Sequence, residues 1–201
     1  MARAEGGSSA RDRILTIATA LFAERGFGSV SVADIAQASG ISTGLIYYHF
    51  ADKQALYDTS IRESVHLLEE VAVHALSDDV GPAERLRRFA TEYVRLLDQH
   101  ADLMRVLIRS VSDLHGQTPR LVIMRSAAII GRIEAVIAEG VEAGEFRTQD
   151  SRLAALALFA LVSTPITVRA LETPLGEREA LTPEMQAAFM VDLFLKGIAP
   201  C

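Results

Sequence analysis

Residues 41–53 gather hydroxyl, aromatic and basic side chains of the kinds that contact nucleic acids. The stretch reads ISTGLIYYHFADK and includes Ser42, Thr43, Tyr47, Tyr48, His49 and Lys53. Hydroxyls and cations bind phosphate oxygens, and aromatic rings contact the methyl groups of thymine. Gly44 destabilises a helix by about 1 kcal/mol relative to Ala. A glycine at this position would be explained if the helix backbone must approach another surface closely. These residue types predict a surface that binds a duplex.

Two short helices joined by a glycine turn are predicted to position these side chains. Ser31 lies three residues before Asp34, and this spacing predicts a capping box at the start of a helix over VADIAQAS. Gly40 then breaks the helix for a sharp turn, and Ser42 caps the next helix. The pair has the size of a helix-turn-helix, whose second helix enters the major groove. The spacing alone is equally typical of a corner in any helical bundle, and the composition of the second helix favours DNA.

Each candidate contact also has a structural alternative. Tyr47 or Tyr48 could pack against the first helix, because adjacent helical residues cannot both face one side. His49 could be an uninvolved surface residue, and Lys53 an ordinary solvated charge. Ile46 and Phe50 are better candidates for the core.

The rest of the chain predicts an all-α fold, because apolar residues recur at helical spacing and no run alternates as a strand does. A first helix follows a capping box at Ser9 and Asp12, and a long fourth helix begins after Asp52 and joins two domains. Later helices are predicted from Pro82, over 103–111, from Pro119 to about Gly140, from Ser151 to about Leu171 with an interruption at Pro165, and from Pro183 to about Lys196. The expected domains are a DNA-binding domain at 1–55 and a larger helical domain at 56–201.

Composition argues against several classes of protein. Half of the 201 residues are apolar and no long apolar run occurs, so a folded cytoplasmic protein without a membrane segment is expected. The single Cys201 supports neither a disulfide framework nor a cysteine metal site, and no nucleophile–base pair or phosphate-binding motif is present. We therefore expect no enzyme activity, no cofactor and no metal. The net charge is −6, and residues 1–60 carry five Lys/Arg against six Asp/Glu, so DNA binding must be local.

The run from Arg11 to Leu56, above all GISTGLIYYHFADKQAL, resembles the DNA-binding domain of the tetracycline-repressor (TetR) family of bacterial transcriptional regulators. The segment GVEAGEFR at 140–147 also resembles the join between two late helices in many members. The resemblance implies a dimeric helix-turn-helix protein, most often a repressor, that binds a pseudo-palindromic operator and is released by a small effector. A helical carrier or scaffold that does not bind DNA is the alternative, and the near-neutral N-terminal region is its main support.

Carried over by residue, the resemblance implies base or groove contacts from part of this segment and phosphate contacts from the remainder. The groove-facing set is Ser42, Thr43, Gly44, Leu45 and Tyr47, and the phosphate-binding set is Tyr48, His49, Lys53 and the backbone at Ser31 and Val32. Leu45 departs from the pattern, because a polar side chain there could bond a base edge. Readout is therefore expected to depend more on methyl contacts and DNA shape.

The last two helices are the most apolar of the chain and need a partner. The resemblance implies that 56–201 is a ligand-sensing and dimerisation domain, in which these two helices form a four-helix bundle with those of a second copy. The predicted interface residues are Leu153, Ala157, Ala160, Leu161, Phe189, Leu193 and Phe194; a helix buried within a monomer is the alternative. The resemblance also implies an effector pocket, for which the sequence supports only an apolar character. Its candidates are Leu103, Met104, Leu107, Met124, Phe159 and Arg109, although such apolar residues are more often plain core.

Overall fold

The computed structural model describes residues 9–112, 118–148, 150–170 and 182–199. Within these ranges the chain is helical and contains no strand, as predicted. The helices are α1 (Ala10–Arg25), α2 (Val32–Ser39), α3 (Thr43–His49), α4 (Lys53–Ala75), α5 (Pro82–Gln99), α6 (Ala101–Ser112), α7 (Thr118–Glu142), α8 (Ser151–Ala170) and α9 (Pro183–Ile198). None of the described helices is long and apolar enough to cross a bilayer.

The first three helices begin at the caps that the sequence predicts. The Ser9 hydroxyl accepts a hydrogen bond from the Asp12 N–H at 3.2 Å, and the Asp12 carboxylate accepts one from the Ser9 N–H. Ser31 and Asp34 form the same box at the start of α2. Such caps satisfy N–H groups that have no partner inside the helix. The first residue of each helix is therefore determined by a cap and a partner that lie within four residues of each other in the sequence.

Two apolar cores divide the molecule, and α4 contributes to both. The N-terminal core, which we call the head core, packs α1–α3 against the first half of α4 through Leu56, Ile61 and Val65. The second core uses Leu68 and later residues of α4, together with side chains of α5–α9. Val106 of α6 and Val122 of α7 also lie in the head core. The predicted division after residue 55 remains a prediction, and the head core itself extends past it to Val65.

Helix α8 differs from its sequence-based prediction. The predicted interruption at Pro165 is wrong, because α8 continues through that position as one helix.

The segment GVEAGEFR folds back at the end of α7, where the N–H of Phe146 donates to the carbonyl of Gly140 at 3.1 Å. A Cβ at Gly140 would lie 2.3 Å from the Phe146 ring, so this glycine is required by close packing. The segment is therefore a compact stop between α7 and α8.

Candidate DNA-binding surface

Helix α3 is held to the head core by one side and exposes the other. Ile46 is 1% exposed, and Ile41 and Phe50 on either side of the helix are also buried. The turn before α3 uses Gly40 in the left-handed conformation, at φ 66° and ψ 24°, which a residue with a Cβ adopts only with strain. The Ser42 hydroxyl accepts a hydrogen bond from the Leu45 N–H and caps the helix. The turn and the buried Ile46 together fix which face of α3 points outward.

The outward face of α3 carries the predicted contact residues. Tyr48 is 81% exposed and Tyr47 54% exposed, so neither ring packs into the head core. Leu45 is 39% exposed, and Ser42, Thr43 and Gly44 are exposed as well. The half-buried His49 stands edge-on to the Tyr48 ring, with 5.1 Å between ring centroids. The alternative in which a tyrosine packs against α1 is therefore not the arrangement of this fold.

Gly44 has no packing role inside the protomer. A Cβ built at this position meets no atom within 4 Å, and its φ is not in the left-handed region. The fold would accept an alanine here, which has the better helix propensity. Packing inside the protomer therefore does not account for a glycine at this position.

The start of α2 offers fewer backbone donors than the sequence suggests. The Ser31 N–H donates to the Asp34 carboxylate at 2.7 Å, and so does the Ser31 hydroxyl at 2.6 Å. These bonds lower the pKa of Asp34 below its ordinary value, with the hydroxyl bond as the largest cause. The first N–H groups of α2, those of Val32 and Ala33, lack an intrahelical acceptor because of their position. A phosphate at this end would therefore meet the Val32 amide more readily than that of Ser31.

Lys53 reaches back from the first position of α4 to the corner between α1 and α2. Its Nζ donates to the carbonyl oxygens of Phe27 and Val30, each at 2.9 Å. The ammonium also lies 4.2 Å from the centroid of the Phe27 ring. Lys53 is half-buried, so it is not an ordinary solvated charge. Its predicted contact with phosphate stays a prediction.

An apolar strip covers the exposed sides of α8 and α9. Leu153 is 63% exposed, Phe189 70% and Leu193 56%, and Ala157 and Ala160 are also exposed. Leu161 is half-buried, and Phe194 is buried in the second core. A groove of about 510 Å³ separates the two helices, with Leu153, Ala157, Leu161, Leu193 and Phe194 among its lining residues. Leu156 and Met185, 40% and 56% exposed, extend the strip and were not predicted, although they follow the helical spacing of Leu153 and Phe189.

The candidates for the effector pocket do not come together as one group. Met104 is buried in the second core, and Leu103, Leu107 and Phe159 pack partly buried against it. Met124 is 59% exposed on α7. Arg109 is exposed on α6, and its guanidinium lies beside Gly26 at the end of α1. The apolar candidates on α6 and α8 thus share one core, and Met124 and Arg109 lie at the surface.

Known proteins resemble this chain in both sequence and fold. Residues 14–59 match the family described as bacterial regulatory proteins, tetR family, and residues 79–167 match the tetracyclin repressor-like C-terminal domain. The HTH-type transcriptional repressor KstR2 of Mycobacterium tuberculosis is 29% identical over 143 residues, which are 70% of each chain. The TetR-family regulator PfmR from Thermus thermophilus is 28% identical, with a TM-score of 0.78 over 97% of this chain and all of that one. AibR in complex with isovaleryl coenzyme A and operator DNA shares the fold at 22% identity, with a TM-score of 0.76 over 92% of this chain and 97% of that one.

A helix-turn-helix head joined to a larger helical domain defines a DNA-binding transcriptional regulator. The two matched regions place the chain in the TetR family, which confirms the predicted resemblance and the all-α fold. The chain is thus a ligand-responsive regulator that binds double-stranded DNA, and a carrier that does not bind DNA is not favoured.

Proposed function

We propose that the chain is a repressor that binds a pseudo-palindromic operator as a homodimer and leaves it when a small, mostly apolar effector binds. The observation that carries this proposal is the orientation of α3, with Ile46 in the head core and both tyrosines exposed. A helix held in this way can present a row of side chains to the major groove.

The proposed contacts fall into two groups. Ser42, Thr43, Gly44, Leu45 and Tyr47 face the floor of the groove, where Leu45 and the Tyr47 ring contact thymine methyls. Tyr48 and His49 bind phosphates beside it, together with the Val32 amide at the start of α2, since the Ser31 N–H is bonded to Asp34. Lys53, at the first position of α4, completes the phosphate-side set. Because the set includes few cations, much of the affinity comes from neutral donors and shape.

The strip on α8 and α9 supports a symmetric dimer. Large apolar side chains that stand exposed in a continuous patch mark a protein–protein interface. A two-fold axis through this strip would bring two copies of Leu153, Phe189 and Leu193 together and form a four-helix bundle. It would also present two copies of α3, whose half-sites should be one or more helical turns apart, at about 34–36 Å for each turn.

The proposed effector binds among the apolar side chains of α6 and α8 in the second core. Leu103, Leu107 and Phe159 are partly buried there, so a ligand could displace solvent from them without opening the whole core. Isovaleryl coenzyme A, which the structural neighbour AibR binds, suggests an acyl thioester as a first class to test. The protein acts in the cytoplasm, where bacterial DNA lies. It has no catalytic activity in this proposal.

Selection of duplexes from a random library by the purified protein tests the proposal. We expect enrichment of an inverted repeat that the dimer binds in fluorescence anisotropy, with loss of binding on addition of an effector. Isovaleryl coenzyme A, a long-chain acyl coenzyme A, the matching free acids and coenzyme A alone form the first panel. Tyr47→Ala should weaken operator binding, and Val73→Ala, at an exposed position of α4 outside both the head core and the strip, serves as the control. Recovery of no preferred sequence would contradict the proposal and favour a carrier.

A further inference from the structure

Arg11 lies against the end of α3, outside the helix-turn-helix itself. It belongs to the first turn of α1, and its guanidinium carbon lies 5.5 Å from the centroid of the Phe50 ring. Phe50 directly follows His49 and ends α3. Arg11 therefore stands beside the end of the helix that carries Tyr48 and His49. The sequence-based set of DNA contacts covers residues 31–53 and does not include this side chain.

The N–H groups of Arg11 are not used inside the protomer. Among the described residues its guanidinium donates no hydrogen bond, and its acidic neighbour is Asp12, with 3.8 Å between Nη1 and a carboxylate oxygen. That carboxylate already accepts the Ser9 N–H in the capping box of α1. A guanidinium over an aromatic ring uses its flat face, so the N–H groups at its edge remain available to an acceptor. The side chain is 43% exposed, so that acceptor can come from outside the protomer.

Stability of the protomer does not account for a cation at this position. The N-terminus of a helix carries a partial positive charge, which disfavours an arginine in the first turn. Asp12 in the same turn carries the charge that this end of a helix favours. The Phe50 ring could be covered equally well by an uncharged side chain of similar length. A phosphate, in contrast, would use both the charge and the N–H groups of Arg11.

We propose that the Arg11 guanidinium binds a phosphate of the operator backbone, next to the phosphates that Tyr48 and His49 bind. The Phe50 ring holds the side chain in place before DNA arrives, so less conformational freedom is lost on binding. Residues 1–60 carry five Lys/Arg against six Asp/Glu, so one further cation on the duplex matters for affinity. The contact fixes the position of the head on the duplex and carries no sequence preference of its own. This inference rests on the proposed operator binding.

A salt series on Arg11→Met tests the contact. Methionine keeps a flexible apolar side chain on the Phe50 ring and removes the charge. Log affinity for the selected operator falls with log salt by about 0.9 for each phosphate contact, so the slope should become flatter by about 1.8 for the two heads. We also expect the variant to bind about tenfold more weakly at low salt.

Two further variants serve as controls. Arg11→Lys keeps the charge and should keep the wild-type slope. Arg132→Met removes the same charge from an exposed position of α7 and should change neither the affinity nor the slope. Weaker binding of Arg11→Met with the wild-type slope would show that the side chain acts only through the fold, and unchanged affinity would show that it does nothing; either result would overturn the inference.

A scan of the selected operator with methylphosphonates shows whether a single phosphate is the partner. Each replacement removes the charge of one phosphate in both half-sites. At one position the wild type should lose affinity and Arg11→Met should lose none, because its bond to that phosphate is already absent. If every replacement weakens the variant as much as the wild type, the inference is overturned. Failure of the wild type to bind any selected duplex is a different result, which would refute the proposed function itself.

Discussion

Replacing Gly44 by alanine should stabilise the protein and weaken its binding to DNA. A Cβ at this position meets nothing within 4 Å in the protomer, so the fold has room for the added methyl group. Glycine in a helix costs about 0.5–1 kcal/mol relative to alanine, and Gly44 lies in the first turn of α3, where we expect about 0.5 kcal/mol for each protomer.

The same methyl group should disturb the contact with the duplex. Inserting a methylene into a well-packed contact costs about 1–3 kcal/mol, and a dimer carries two such positions. We therefore expect operator affinity to fall at least about tenfold, since each 1.4 kcal/mol corresponds to a factor of ten. Stability and affinity would change in opposite directions, which no general loss of folding can produce.

Urea unfolding and fluorescence anisotropy on one preparation measure both effects. Gly131→Ala is the matched control, because this glycine lies inside α7, has equal room for a Cβ and is distant from the head. It should raise the free energy of unfolding and leave operator affinity unaltered. Wild-type affinity in Gly44→Ala would refute the reasoning that the bare backbone of α3 meets the duplex.

Three further predictions concern the body of the protein and the dimer. Gly140→Ala should lower the free energy of unfolding by about 1–3 kcal/mol in urea titrations, because the new Cβ would overlap the Phe146 ring; an unchanged midpoint would show that the ring moves aside at no cost. Leu193→Glu should convert the dimer to monomers of 21.8 kDa in light scattering, since it places a charge in the proposed interface; a dimer that persists would place the interface elsewhere. The hydrogen bonds from Arg88 and Ser77 hold the pKa of Asp79 well below 3.8, so its contribution to stability is present above pH 4 and is lost as the pH falls further. Asp79→Asn should therefore be less stable than wild type at pH 6, with a difference that shrinks at pH 3; a constant difference would exclude the ionised carboxylate as its source.

Local patterns predicted the head well, because its fixed points are short-range. The capping box of Ser31 and Asp34 and the left-handed Gly40 are each determined within a few residues, and both occur where expected. The same capping box could have shown that the Ser31 N–H is already used by Asp34. The outward face of α3 followed from placing Ile46 and Phe50 in the core, and it agrees with the structure.

Contacts between distant segments were beyond the reach of such patterns. Lys53 bonds to carbonyls that lie 26 and 23 residues earlier in the chain, so its surroundings depend on how α4 packs against the corner. The sequence also did not show that Met104 is buried while Met124 is exposed. Helical spacing indicates on which side of its helix a residue lies, but it does not indicate which other helix packs against that side. Pro165 was expected to interrupt α8, and the helix nevertheless continues through it.

Chemical footprinting of the operator tests the central claim most directly. Methylation of guanine N7 and oxidation of thymine report contacts in the major groove, and cleavage by hydroxyl radicals reports the backbone. If the exposed face of α3 enters the groove in a symmetric dimer, two protected patches should lie on one side of the duplex, one or more helical turns apart, and should weaken together in Tyr47→Ala. Protection of the minor groove alone, or of one unpaired patch that Tyr47→Ala leaves intact, would contradict the account.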